Sequence, residues 1–401
     1  MFRSSLRGVR VIDFSHVLAG PVATMMLADL GADVIKVEAP QGEMGRRLGP
    51  PWINGVSAIH LSVNRNKRGI AMDLKSPSGR EAALRLIRGA HVVVENFRPG
   101  VMRQLGLDYE TVSAANPGLV YCSISAYGQT SPFRTRPGVD GIMQAASGLM
   151  STMGTDGGDP VKVAAPVADM AGGYFAAISI LAAYIAARQS GQGERLDISL
   201  YNAAIMLQQT NYASYFAAGM DPRKMGSAAP YAAPNEAYPT RDGWIMVAAY
   251  QPDRWRALCA LLDAPGLEQD PRFATNESRV AHRSDLRQAL AARFLTRDTA
   301  QWQRLLLEAD ILCAPIARYG EVVASDEYAA SGIDSMVTHP VAGVVRLPGF
   351  VPGPAHANLG TARDRAAPLI GEHAAEILRE IGYDEADIAA FDTAFRTAEA
   401  P

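Results

Sequence analysis

Apolar residues in the first half of the chain fall into short runs, separated by stretches in which they recur every three or four positions. The runs "VRVIDF" (Val9 to Phe14), "DVIKVE" (Asp33 to Glu38), "GIAMDL", "HVVVENF" and "LVYCSIS" (Leu119 to Ser125) read as buried strands. Between them, "GPVATMMLADLGA" reads as a helix, with Pro21 suited to its first turn and Gly31 to its end. "SPSGREAALRLIRGA" reads as another, capped by Ser76. This alternation predicts an α/β fold, a mostly parallel sheet with helices on both faces.

From Met170 to Ala187 the chain carries no charge, close to the length of a membrane span. It is built from Ala and Gly rather than Leu and Val, and reads as a buried helix of a soluble protein. "GQGERLDISL" then turns into a strand. The Pro- and Ala-rich "GSAAPYAAPNEAYPTRDG" marks a domain boundary near residue 225. "GWIMVAAY" and the helical stretches from Asp253 to Asp310 suggest a smaller α/β or α+β domain. Past residue 335 come short strands ("GVVRLPG"), a Pro-rich run and a last helix, "HAAEILREIGY".

Composition mainly excludes. A net charge of −3 over 401 residues gives no basic face for nucleic acid. Cys122, Cys259 and Cys313 are too far apart for a metal motif or a disulfide framework, which suits a reducing compartment, the cytoplasm. The N-terminal "MFRSSLRGVRVIDFSHV" is basic, but Asp13 interrupts its apolar stretch too early for a signal peptide. The first strand-to-helix turn, "DFSHVLAGPVA", lacks G-x-G-x-x-G, which argues against a nicotinamide or flavin dinucleotide. HExxH, GxSxG and the P-loop are absent.

Three places carry candidate chemistry. "NRNKRG" (Asn64 to Gly69) is the densest basic cluster, either a solvated loop or a set of cations for phosphates. Lys75 lies beside the helix start at Ser76, where anions are favoured. "VENFRPGVMRQLG" ends a strand and starts a helix, so Asn96, Arg98 and Arg103 are candidates for a cleft at the carboxyl ends of the strands, with His16 on the first turn. The third is Asp169, at the start of the uncharged helix. Aspartate is a favoured N-cap; it is equally what covalent catalysis by a poorly hydrated carboxylate needs, with Gly172 and Gly173 leaving room beside it.

The ordered blocks "RVIDFSHVLAGPVATMMLADLGADVIKVE", "SVNRNKRGIAMDLKSPSGRE", "VVVENFRPGVMRQLGLDYE", "YCSISAYGQTSPFRTRPGVDGIMQAASGLM", "ADMAGGYFAAISILAAY" and "PLIGEHAAEILREIGY" resemble the class III CoA-transferases over essentially the whole chain. This is the formyl-CoA transferase or CaiB/BaiF type. The resemblance implies a Rossmann-like large domain (1–224) completed by the C-terminal segment (336–401), a small domain (225–335), and an interlocked homodimer. It implies Asp169 as nucleophile, forming aspartyl anhydride and aspartyl-CoA thioester intermediates. It places CoA contacts at His16, Val17, Leu18, Ala19, Met72, Asp73, Lys75, Asn96, Phe97, Arg98, Arg103 and Asp140, with coenzyme A as substrate and neither a metal nor a tightly bound cofactor. Two basic positions of some members correspond here to Gln104, with Arg103 beside it, and to Ala39.

Related α-methylacyl-CoA racemases place a His directly before the Asp of "RPGVDGI"; here that position is Val139. A non-catalytic CoA-binding protein is the other alternative. The loop "GSAAPYAAPNEAYPTRDG" lacks the glycine run of oxalate-specific members, and "GPPWINGVSAIHLSVNRNKRG" looks closer to members acting on succinyl-CoA and C4 to C6 dicarboxylates. Arg46 or Arg47 is then the candidate partner for a distal carboxylate.

Overall fold

The computed structural model describes residues 2–350 and 364–398, and divides the chain into two units. The larger comprises Met1–Met150, Lys162–Met220 and the chain from Tyr328 onward. Its centre is a six-stranded parallel sheet of β1 (Arg10–Asp13), β2 (Asp33–Glu38), β3 (Arg68–Ala71), β4 (Val92–Glu95), β5 (Val120–Ser125) and β6 (Arg195–Ser199). The spatial order is β3-β2-β1-β4-β5-β6, the doubly wound order of Rossmann folds, and it reverses direction between β1 and β4. Every residue of β3, β4 and β5 is buried, as a sheet covered on both faces requires.

The helices that cover this sheet and border its carboxyl edge include α1 (Ala19–Asp29), α2 (Ala58–Val63), α3 (Pro77–Arg88), α4 (Val101–Gln104), α5 (Asp140–Ala146), α6 (Val167–Ser190) and α7 (Leu200–Met206). The expected start of α3 is present: the Ser76 hydroxyl accepts from the Gly79 N–H at 3.0 Å, and Pro77 occupies the first turn. Its buried face, Ala82, Ala83, Leu86 and Ile87, packs under the sheet with Ile12, Ile35 and Val93. α6 is long and apolar enough to cross a membrane, yet one side packs into the core through Ala168, Ala176, Ala177 and Ile180.

The sequence expectation that Gly172 and Gly173 leave space for a ligand needs correcting. A Cβ on Gly173 would sit 2.7 Å from the Ala19 carbonyl oxygen and 2.9 Å from Val22 Cβ, and one on Gly172 would sit 2.5 Å from Leu200. The glycines let α1 and α7 approach α6.

The basic loop also behaves differently from a phosphate binder. Arg65 makes a two-pronged ion pair with buried Asp29, at 3.0 and 2.5 Å. Lys67 is completely buried and donates to Asp13 (3.0 Å), Asn64 (2.8 Å) and the Pro21 carbonyl (3.0 Å). Arg68 binds Asp33 in β2 together with Glu376 and Glu380 of α8 (Ala374–Glu380). All three charges are therefore internal. They tie β1, β2 and the C-terminal segment together, and none faces a cleft. α8 adds Ile377 and Leu378 to the core that holds Ile12 and Phe14. The antiparallel hairpin β10 (Asp334–His339) and β11 (Gly343–Pro348) belongs to the same unit. Most of the Pro-rich run before α8 lies outside the described residues.

The second unit consists of Ser151–Val161 and Asp221–Glu327. It starts at Asp221 rather than 225 and ends at Glu327 rather than 335. It also takes in the earlier Ser151–Val161 stretch, which Gly226 N–H to Gly154 O (2.9 Å) and Lys224 to Gly158 O (2.5 Å) bind to it. Its antiparallel sheet, β7 (Asn235–Pro239), β8 (Trp244–Ala248) and β9 (Leu312–Pro315), packs with helices around Tyr238, Trp255, Phe294 and Trp302, an α+β arrangement.

Removing one half of the buried Asp13–Lys67 pair leaves an uncompensated charge. Lys67→Met is expected to lower stability by about 3–5 kcal/mol in a denaturant titration, and Asp13→Asn in the same chain to recover part of that loss.

Candidate active site

β1 and β4 end side by side where the strand order reverses, the place where open α/β sheets bind ligands. The two turns beyond them are locked together: the His16 N–H donates to the Asn96 side-chain oxygen, and the Asn96 amide donates back to the His16 carbonyl, both at 2.8 Å. The His16 ring meets Phe97 edge-on at 4.6 Å. Burial lowers the His16 pKa, so the ring is neutral at pH 7.

Val17 adopts a left-handed backbone, φ +66°, which a β-branched residue rarely tolerates. Its N–H is held by the buried carboxylate of Glu43 at 3.1 Å, which also accepts from the Gly45 N–H at 2.5 Å. Beneath it, His60 of α2 lies fully buried with Nδ1 3.2 Å from Glu43. Burial draws His60 down to about 4, so a neutral imidazole stands beside Glu43. Burial alone would raise Glu43, but the His60 hydrogen bond, Lys36 and the Gly45 N–H bring it down to about 2. Sequence reasoning missed this buttress. Its signal, an isolated Glu and His near Gly45 and Asn64, has no recognisable spacing.

Two adjoining cavities open here. One, about 680 Å³, is lined by His16, Phe97, Met44, Gln104, and the β3 end and α3 start from Met72 to Pro77, with Arg80. The other, about 830 Å³, is lined by His16, Val17, Leu18, Ala19, Asn96, Phe97, Arg98 and Asp169, with Arg134 and Arg136. They share His16, Met44, Phe97 and Val101. The two together gather ten of the twelve expected contact residues around one cleft with Asp169. Arg134 and Arg136 of "RTRPGVDG" are additions to the expected set; their only sequence signal is proximity to Val139.

Two expected contacts lie elsewhere. Arg103 points away to Glu110, at 3.6 Å, while Gln104 faces the cleft. Asp140, the first residue of α5, turns to the start of α6: its Oδ1 accepts from the Ala168 N–H at 2.8 Å and the Asp169 N–H at 3.3 Å. It lines neither cavity. Arg46 is likewise committed, binding both oxygens of Glu38 at 2.6 and 2.7 Å, so it is not available to a substrate carboxylate. Arg47 is exposed and donates to the Gln41 carbonyl.

The Asp140 arrangement leaves Asp169 without a capping duty. Pro166, not Asp169, holds the cap position of α6, and the exposed N–H groups of the first turn are satisfied by Asp140. The Asp169 carboxylate makes no hydrogen bond or ion pair among the described residues. Burial, with the neighbouring Asp140 charge adding to it, raises its pKa to about 7. The α6 N-terminus partly opposes this by favouring the anion. Among the described residues no group of His, Cys, Asp and Glu is arranged to hold a metal.

The fold and the site are those of an α/β protein built on a doubly wound sheet, with an apolar-walled cleft at the switch point, a half-buried carboxylate at one end and a lysine-flanked helix start at the other. The family model for CoA-transferase family III matches residues 6–374, and the chain belongs to that family. A succinate–glutarate CoA-transferase of Agrobacterium fabrum is 37% identical over 388 residues, 94% of this chain and 95% of its own. The succinyl-CoA:glutarate CoA-transferase of Mus musculus is 36% identical over 385 residues, 96% of this chain and 88% of its own. A CAIB/BAIF family protein from Brucella suis superposes with a TM-score of 0.85 at 34% identity, covering 94% of this chain and 99% of the other.

A carboxyl that keeps its proton to about 7 when folded, but loses it near the ordinary value of 3.8 when unfolded, costs stability increasingly between those pH values and in full above 7. Asp169→Asn is therefore expected to stabilise the fold at alkaline pH by about 1–3 kcal/mol, discounted for the partial exposure of the group. Near the ordinary value the difference should vanish. Thermal unfolding of both proteins at acid and alkaline pH checks this.

Proposed function

We propose that this protein moves CoA from an acyl-CoA donor, succinyl-CoA or a similar thioester, to a C4 to C6 dicarboxylate, with Asp169 as nucleophile. The observation that carries the reading is the unpartnered Asp169 carboxylate at the end of an apolar cleft. Its usual helix-capping duty is taken by Asp140. Such an anion is poorly hydrated and free to attack.

The Asp169 oxygen adds to the thioester carbonyl and the C–S bond breaks, leaving an aspartyl–acyl anhydride and CoA thiolate. The thiolate attacks the aspartyl carbonyl, releasing the donor acid and leaving an aspartyl-CoA thioester. The acceptor carboxylate attacks that carbonyl and expels the thiolate to form a second anhydride. The thiolate then attacks the acceptor acyl carbon, releasing the new acyl-CoA and regenerating Asp169. No step needs a net proton, so the site requires no general base. It does need water excluded, since each intermediate can hydrolyse. The apolar walls formed by Leu18, Ala19, Phe97, Ile124 and Leu200 serve that end.

The CoA phosphates are assigned to the α3 end of the cleft, where exposed Lys75 and Arg80 flank the helix N-terminus. The pantetheine then runs past His16, Phe97 and Met44 toward Asp169. No tightly bound cofactor is part of this reading. An interlocked homodimer is part of it: α6 exposes Tyr174, Ile178 and Ile185, and the chain beyond it exposes Met206, Leu207 and Phe216, an apolar surface of the kind a partner subunit covers. The cytoplasm is the proposed compartment, consistent with the free Cys122, Cys259 and Cys313. A racemase is disfavoured because exposed Val139 stands where its proton-transferring His would be.

Incubation with succinyl-CoA, a panel of dicarboxylic acids and hydroxylamine, followed by peptide mass spectrometry, tests the reading. Acceptor-dependent new acyl-CoA and a trapped adduct on the Asp169 peptide are expected. Asp169→Ala should lose the adduct and lower transfer on the order of a thousandfold or more. The acid limb of kcat/KM should rise with pH through about 7 as the reactive anion forms. Proton exchange α to the thioester in D₂O, without transfer, would sink the proposal in favour of the racemase.

A further inference from the structure

Bordered by Arg98 and Arg134, which also line the cleft, a separate cavity of about 290 Å³ lies beside the end of β4 at Glu95, β5 at Tyr121 and Ser123, and the start of β6 at Arg195. Asp169 does not line it, and neither do the residues at the α3 end of the cleft. Four arginines do: Arg98, Arg103, Arg134 and Arg195. Two are partnered by one carboxylate, Glu110, at 3.6 Å from Arg103 and 2.6 Å from Arg195. The Arg98 and Arg134 side chains have no hydrogen-bonding or ionic partner among the described residues. The Gln129 side-chain nitrogen, in the wall of the same cavity, is buried with no acceptor.

The remaining acids do not balance these cations. Asp108 accepts from Thr111 at 2.9 Å. Glu95, on the cavity floor, is raised to about 7 by burial, against hydrogen bonds from Ser123 and the Phe97 N–H, and so carries only part of a charge at neutrality. Unpaired arginine charge therefore lines a space too small for a nucleotide and roomy for a short-chain acid, and the Gln129 amide in its wall is left without an acceptor. Planar guanidinium groups suit carboxylates in particular.

We propose that this cavity is a second binding site, outside the thioester cleft, for a free short-chain dicarboxylate, held by Arg195 and Gln129 on one side and by Arg98 and Arg134 on the side shared with the cleft. The choice of a dicarboxylate rests on the proposed acceptor class; the cationic cavity does not.

Calorimetric titration of glutarate into the full chain saturated with free CoA, with no acyl donor present, tests it. A binding component weakened about tenfold or more by Arg195→Gln and by Gln129→Leu, with Arg195→Lys falling between Arg195→Gln and the wild type, is expected. Turnover at low acceptor concentration should stay within about twofold in all three variants. Circular dichroism melts establish that each variant is folded. Identical isotherms for wild type, Arg195→Gln and Gln129→Leu would overturn the proposal, as would equal displacement by inorganic phosphate, which would make the cavity a general anion sink. Loss of transferase activity from the panel assay with binding intact would overturn the catalytic reading and leave this site standing.

Discussion

The fixed point of the large unit is the fully buried carboxylate of Asp13, the last residue of β1. Left unpaired, burial would raise its pKa; Lys67, Lys36 and the Ser15 and Thr24 hydroxyls instead hold it well below the usual carboxylate range. Thr24 binds it from α1 at 2.7 Å, Lys67 from the chain before β3 at 3.0 Å, and the Ser15 N–H from the turn after β1 at 2.9 Å. One anion thus fixes the direction in which the chain leaves β1, the position of α1, and the approach to β3. Lys36 donates to the Ser15 carbonyl at 2.8 Å and completes the arrangement. A buried ion pair adds little net stability compared with an apolar replacement, but losing one member is costly, so such a pair specifies geometry more than it adds energy.

The geometry it specifies runs outward to the cleft. With α1 fixed, the Ala19 carbonyl meets α6 at Gly173, and that contact sets where the first turn of α6, and with it Asp169, lies. With the β1 turn fixed, Val17 is held in its left-handed conformation by Glu43, and His16 is held against Asn96. The strained residue is thus over-determined from both sides, the usual condition for backbone strain to persist near a ligand site.

Much of this architecture is legible in the sequence, for identifiable reasons. The strands β1 to β5 announce themselves because a doubly covered parallel sheet needs unbroken apolar runs, and the Ser76 cap because its chemistry is local. The ordered blocks bring most of the expected contact residues around one cleft because strand-end turns converge wherever a doubly wound sheet reverses. Charge is harder to read. "NRNKRG" looks like a phosphate loop in one dimension; its partners Asp29, Asp13, Asp33, Glu376 and Glu380 are scattered along the chain, and nothing local announces that they consume it. Arg46 misleads in the same way through Glu38. Gly172 and Gly173 advertise close approach, but not that the approaching group is another helix.

Asp169 and Asp140 show how a cap and a candidate nucleophile can be told apart only in three dimensions. Either aspartate satisfies the statistics for the start of a helix, and in sequence Asp169 is the nearer one. Asp140 reaches two first-turn N–H groups of α6 from the neighbouring helix, and the Ala165 carbonyl takes the Val167 N–H. That frees the second carboxylate of any structural duty and leaves it a charged neighbour. Both consequences push the same way: without hydrogen bonds Asp169 gains no compensation for burial, and Asp140 repels its charge. An anion destabilised in this manner gains most when it forms a covalent bond to an acyl carbon and its charge departs on the thiolate. The stability the fold gives up at Asp169 is, in the proposed reaction, part of the driving force for attack.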